Sequence, residues 1–78
     1  MHEWLEQARA SLAEAVGAPP EEYDLAQAEV DELLELARVA AHDSGERINA
    51  PLVCYLVGLA RGRHGGELTS LVDVAVRR

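Results

Sequence analysis

The stretch that decides the fold of this chain is INAPLVCYLVGLA, residues 48–60, which contains no charged side chain. With 13 residues it is too short to cross a bilayer, which takes about 20 apolar residues. A helix that is apolar on nearly all sides must instead be surrounded by protein. We therefore predict that this segment is the central helix of a small soluble domain, enclosed by the other helices of the chain.

The length and composition limit the classes of site that the chain can hold. A length of 78 residues suits one domain, spanning 1–78, with a small core. The single cysteine, Cys54, excludes an internal disulfide, and its place in the uncharged stretch predicts that it acts as a small, buried apolar residue. The three histidines, at positions 2, 42 and 64, have no metal-motif spacing, so we predict no metal site and no cofactor. The acidic N-terminal segment lacks the features of a signal peptide, so we expect a cytoplasmic protein.

Charge is distributed unevenly along the chain. Residues 1–46 carry twelve acids and two bases, residues 47–78 carry five bases and two acids, and the net charge is −7. A large acidic field beside a short basic segment argues against nucleic-acid binding. The difference in charge suits attraction between helices of the domain or docking on a basic partner. The alternative is a solvated acidic face that keeps the protein soluble.

The spacing of apolar residues predicts an all-α fold, a compact bundle of four short helices with a central apolar third helix. The predicted helices span about 3–16, 25–42, 50–61 and 67–76. Asp24 and Gln27 have capping-box spacing at the start of the second helix, and Asn49 is the predicted N-cap of the third. Gly58 lies inside the third helix, where glycine is unfavourable, so we expect a neighbouring backbone to approach it closely.

The polar turn before the third helix is the best candidate for a site. His42 ends the second helix, Arg47 lies in the turn, and Asn49 begins the third helix. Arginine and helix N-termini both favour phosphate or carboxylate groups, and an imidazole can transfer a proton. The structural alternative is that His42 complements the helix dipole while Arg47 bonds Asp43, Glu46 or exposed carbonyls. We predict a partner-binding or ligand-binding role for these three residues and no catalytic residue.

Three segments carry a resemblance to a known family: LLELARVAAH at 33–42, RINAPL at 47–52 and YLVGLARG at 55–62. They resemble a small actinobacterial helical domain of unknown function, over residues 25–62 and more loosely over the first helix. Such domains occur alone, or fused to or encoded beside molybdenum cofactor (molybdopterin) guanylyltransferases. The chain departs from the pattern at Ile48 and Asn49, where the family often has Pro-Ala. The resemblance implies an accessory role near that pathway and carries over no catalytic residue.

These observations lead to one main hypothesis and two alternatives. The main hypothesis is a non-enzymatic accessory or interaction domain, associated with molybdenum cofactor guanylylation through a cofactor nucleotidyltransferase as partner. The polar turn and the acidic face of the second helix would form its recognition surface, and Trp4 would be either a core residue or the anchor of a homodimer. The alternatives are a phosphate, nucleotide or pterin site at the His42–Arg47 turn, and a purely structural dimerisation module.

Overall fold

The computed structural model describes residues 3–77 and shows the predicted all-α fold. Its four helices are α1 (Glu3–Val16), α2 (Gln27–Ser44), α3 (Asn49–His64) and α4 (Leu68–Val76), and a short 3-10 helix (Pro20–Tyr23) separates α1 from α2. No residue in this range belongs to a strand. The prediction of four short helices is therefore confirmed, and their ends differ from the predicted ones by zero to three residues.

The start of α2 lies two residues beyond the predicted one because a different carboxylate caps it. Glu29 accepts a hydrogen bond from the backbone N–H of Ala26 at 2.9 Å, which satisfies one of the donors that a helix N-terminus leaves open. Asp24, the predicted cap, instead forms an ion pair with Arg9 at 2.8 Å. At the other end, Gly45 closes α2 with a positive φ of 75°, a conformation that glycine adopts without strain.

Helix α3 is longer than predicted at both ends. The predicted end at residue 61 lies just before Gly62, but the helix continues to His64 and Gly65 closes it; the N–H of Gly65 bonds the carbonyl of Arg61 at 2.8 Å. At the start, Ile48 occupies the N-cap position without a side-chain bond, so the prediction that Asn49 is the N-cap is wrong by one residue. The reason is that the backbone N–H of Asn49 already bonds the carbonyl of Glu46 at 3.2 Å, so the turn itself satisfies this donor.

The core lies between α2, α3 and α4, which pack against one another in all three pairs. Each contributes one buried residue, Leu36 from α2, Val57 from α3 and Val72 from α4. Partly buried apolar side chains surround this cluster: Leu33, Val53, Cys54, Leu68, Leu71 and Val76. These three helices therefore form a three-helix bundle.

Helix α1 lies outside this bundle. It packs against the 3-10 helix and against none of α2, α3 and α4. The prediction that the third helix is enclosed by the other three is thus wrong for α1, and one side of α3 remains uncovered. Leu56 on that side is 61 % exposed, whereas the adjacent Val57 faces the core at 4 %. We call α1 together with the 3-10 helix the N-terminal arm.

One arginine holds the N-terminal arm together. The guanidinium of Arg9 donates to the carbonyl oxygen of Pro20 at 2.6 Å and to Glu6 at 2.8 Å, and it also pairs with Asp24. Ala13, one turn further along α1, is fully buried. These contacts hold α1 in one orientation relative to the 3-10 helix.

A second ion pair joins α2 to α3. Arg61 donates to Glu29 at 2.7 Å, and both side chains are partly exposed. The hydrogen bond from Arg61, together with the one from the Ala26 N–H, lowers the pKa of Glu29 below its ordinary value of 4.5. Both hydrogen bonds are stronger when the carboxylate of Glu29 is ionised, and they therefore favour its charged form.

We expect Leu36→Ala to lower the free energy of unfolding by about 2–5 kcal/mol, because truncating a fully buried leucine removes apolar contacts and leaves a cavity. Leu34→Ala is the matched control, since Leu34 is on the same helix but is 65 % exposed, and we expect it to change stability by less than about 0.5 kcal/mol. Urea unfolding followed by circular dichroism measures both values. Equal losses in the two variants would contradict the assignment of the core.

We also expect the Glu29 contribution to stability to depend on pH. Because the pKa of Glu29 is lower in the folded chain, its contribution is complete above the unfolded-state pKa and is lost as the pH falls through the folded-state pKa. The stability difference between the wild type and Glu29→Gln should therefore shrink between about pH 7 and pH 3. In an Arg61→Gln background the change with pH should be smaller, since the main cause of the lowered pKa is gone. A difference that is constant with pH in the chain that retains Arg61 would refute this.

Candidate functional site

The polar turn between α2 and α3 is exposed, and its backbone is held by a residue that the sequence analysis did not single out. The hydroxyl of Ser44 donates to the carbonyl oxygen of Glu46 at 3.2 Å and accepts from the Glu46 N–H at 3.3 Å. Such local bonds are how serine stabilises turns. The sequence signal for this tie is a serine at the end of a helix, directly before a glycine and two residues before the residue that it bonds.

The side chains of His42 and Arg47 do not hold the turn in place. His42 is 84 % exposed, and its Nδ1 lies 3.3 Å from the carboxylate of Asp43, a contact that contributes little to stability at such exposure. Arg47 is exposed, and its guanidinium forms no hydrogen bond or ion pair with any of residues 3–77. The structural role that we considered for Arg47, a bond to Asp43, Glu46 or turn carbonyls, is therefore not observed.

The N-terminus of α3 has few donors left for an anion. The N–H of Asn49 bonds the carbonyl of Glu46 at 3.2 Å, and the N–H of Ala50 bonds that of Arg47 at 3.1 Å. The third residue, Pro51, has no N–H. Helix N-termini bind phosphate through free N–H groups, and here the first three positions of α3 supply none.

Asn49 is the one predicted site residue that lines a groove. This groove has a volume of about 820 Å³ and lies where the C-terminal ends of α2 and α4 meet the start of α3. Most of its lining is apolar, and the rest is polar or charged; the apolar residues are Ala40, Leu52, Val53, Leu56, Ala75 and Val76, and the others are Asp43, Ser44, Asn49 and Arg77. His42 and Arg47 are outside this lining, at the adjoining turn.

A second, smaller groove of about 310 Å³ continues the first along the contact between α3 and α4. The two share Val53, Leu56 and Ala75, and the second adds Val57, Ala60, Leu71 and Val74. We call the pair the α3/α4 groove. The sequence analysis missed it because the same apolar residues were assigned to a core that α1 was expected to complete.

A further groove of about 550 Å³ lies on the other side of α3 and includes Cys54, Gly58 and Gly62. A Cβ added at Gly58 would meet no atom within 4 Å, so the prediction of a closely approaching backbone is wrong. Cys54 is partly buried, with its Sγ 3.9 Å from the carbonyl oxygen of Leu33, and burial raises the pKa of its thiol. A thiol with a raised pKa is a weak nucleophile at neutral pH, in keeping with a packing role.

The described part of the chain contains no cluster of three or more His, Cys, Asp or Glu residues that could hold a metal ion. His2, one of the three histidines considered above, lies outside the described residues. In the same range, no helix combines the length and the apolar character that crossing a membrane requires.

Comparison with known proteins places this architecture in a family. No curated protein and no solved structure matches the chain. The profile of the family described as domain of unknown function DUF6457 matches residues 1–78, which include the polar turn, the α3/α4 groove and the N-terminal arm. The chain therefore belongs to the DUF6457 family.

Proposed function

We propose that this domain is a non-enzymatic interaction domain of the cytoplasm, which binds a molybdenum cofactor guanylyltransferase through the polar turn and the adjoining acidic side of α2. The observation that carries the proposal is the side chain of Arg47, which is exposed, forms no ion pair with residues 3–77 and lies in the polar turn. Arg63 and Arg77 are exposed without an ion pair as well, but they lie at the other end of α3 and at the end of α4. Arg9, Arg38 and Arg61 each pair with a carboxylate of this chain. The resemblance of residues 25–62 to domains fused to or encoded beside these enzymes supports the choice of partner.

An unpaired arginine at a turn is well suited to recognition. Its guanidinium offers five N–H donors in a planar fork that matches a carboxylate of a partner. Arginine is also enriched at protein interfaces and among the residues that dominate their binding energy. Because Ser44 and Gly45 already hold the turn, Arg47 is available to a partner without loss of a structural bond.

The acidic side of α2 would complement this contact. Asp31 and Asp43 are exposed at opposite ends of the helix, and Asp43 lies beside His42 at the turn. A surface that carries both signs of charge fixes the orientation of a docked partner and disfavours wrong partners. The net charge of −7 favours a partner whose facing surface is basic.

Two features of the turn support binding over catalysis. The imidazole of His42 is on an open surface, where bulk water surrounds it, whereas acid–base chemistry gains from a site that excludes water. The helix N-terminus that would bind the phosphate of a nucleotide or pterin has its first two N–H groups engaged and a proline third. The alternative of a phosphate site at this turn therefore has little support from the geometry.

The test is a binding titration between the purified domain and the purified guanylyltransferase of the same organism. We expect each domain to bind one enzyme chain. We expect Arg47→Glu to raise the Kd at least about 10-fold, because the attraction between Arg47 and a carboxylate of the partner becomes a repulsion between two carboxylates. Arg63→Glu is the matched control: Arg63 is exposed near the opposite end of α3, and the change in net charge is identical. We expect the control to shift the Kd less than about 2-fold.

Two results would reject the proposal. One is the absence of binding when the folded wild-type domain is in large excess over the enzyme. The other is an equal loss in the two variants, which would show that binding responds only to net charge and not to the turn.

A further inference from the structure

We propose that the α3/α4 groove is covered by helix α1 of a second copy of the chain, in a reciprocal exchange that makes a homodimer. The inference starts from an excess of exposed surface. The chain has an accessible surface of 5907 Å², whereas a compact monomer of its mass, 8.5 kDa, exposes about 4,700 Å². The difference, about 1,200 Å², exceeds the roughly 800 Å² that each partner buries in a standard stable interface.

Seven of the twelve exposed large apolar side chains among the described residues lie on two surfaces. The first is a stripe on α1, where Trp4 is 71 % exposed and the exposed leucine and valine side chains recur at helical spacing: Leu5, Leu12 and Val16. Residues at these intervals lie on one side of a helix. The second surface is the α3/α4 groove, where the exposed residues are Leu52, Leu56 and Val74. Isolated exposed leucines are ordinary, but contiguous apolar patches mark interaction sites.

The two surfaces match in length and in apolar character. Helix α1 has 14 residues and is about 21 Å long, and the groove follows α3 from residue 49 to residue 60, about 18 Å. The charged residues that line the groove are one acid, Asp43, and one base, Arg77, so neither sign of charge dominates it. An amphipathic helix that lays its apolar side in a groove is a recurrent mode of recognition.

The contacts within the chain explain why the cover comes from a second copy. Arg9 fixes α1 on the 3-10 helix through Pro20 and Asp24, and α1 packs against no helix of its own bundle. A second copy supplies both an α1 stripe and a groove, so one two-fold exchange covers all four surfaces. His42 and Arg47 lie outside the groove lining, whereas Asp43 and Asn49 belong to it. The dimer is argued from the groove and α1 alone, so it goes beyond the proposed function and does not depend on it.

The mass of the protein in solution, measured by sedimentation over about a hundredfold range of concentration, tests the dimer. We expect a mass of twice 8.5 kDa that declines to one chain on dilution. Leu12→Lys on α1 and Leu56→Glu in the groove should each weaken self-association at least about 10-fold, because each places a charge in an apolar contact. Circular dichroism confirms that the variants are folded, as expected for substitutions at exposed positions.

An equimolar mixture of the two variants tests the reciprocal arrangement. In a mixed dimer, one of the two contacts joins an unaltered α1 to an unaltered groove. The other contact places the introduced lysine of one copy against the introduced glutamate of the other. We therefore expect the mixture to recover the dimer. Leu34→Glu is the control, because Leu34 is 65 % exposed but belongs to neither surface, and it should remain dimeric. A wild type that is monomeric at every concentration overturns the proposal, as does a dimer that Leu12→Lys leaves intact or a mixture that stays monomeric.

Discussion

The contact between Leu36, Val57 and Val72 is the interaction on which the rest of this structure depends. Each residue comes from a different helix, so this one cluster sets the relative positions of α2, α3 and α4. The cluster is small, and a domain of this size has little other buried apolar area with which to offset the entropy of folding. Partly exposed interactions, such as the pair between Glu29 and Arg61, then act on a bundle whose arrangement the cluster has already determined.

Much of the fold could be predicted from the sequence, because the signals for individual helices are local. Apolar spacing found all four helices, and the bounds of α1 agree with the prediction. The errors at other helix ends concern which of several nearby residues caps or closes the helix: Glu29, in place of Asp24, caps α2, and Gly65, in place of Gly62, closes α3. When a sequence has several acids or glycines near a helix end, it does not indicate which of them caps the helix. The capping residue depends on contacts with residues far along the chain, such as the pair of Glu29 with Arg61, or on packing.

The tertiary arrangement was harder to predict, and α1 shows why. Its apolar stripe has the pattern of a helix that packs in a core, and the uncharged segment of α3 has the pattern of a helix enclosed on all sides. Neither pattern indicates whether the surface that packs against the apolar residues belongs to the same chain or to another one. At the polar turn, residue types suggested a site around His42, Arg47 and Asn49, but only coordinates show that Ser44 ties the turn and that Asn49 alone reaches the groove. The role of all three residues stays a prediction.

The separation of the N-terminal arm from the bundle has a consequence for folding cooperativity. In a single copy, α1 shares no buried cluster with α2, α3 and α4, so its opening leaves the bundle core intact, while it breaks the bonds of Arg9 and exposes Ala13. Regions that open independently in this way exchange their amide protons faster than the rest of the molecule. Contact with a second molecule would couple the two parts, since α1 could then leave only by exposing its neighbour's groove. Assembly would thereby turn a two-part chain into one cooperative unit.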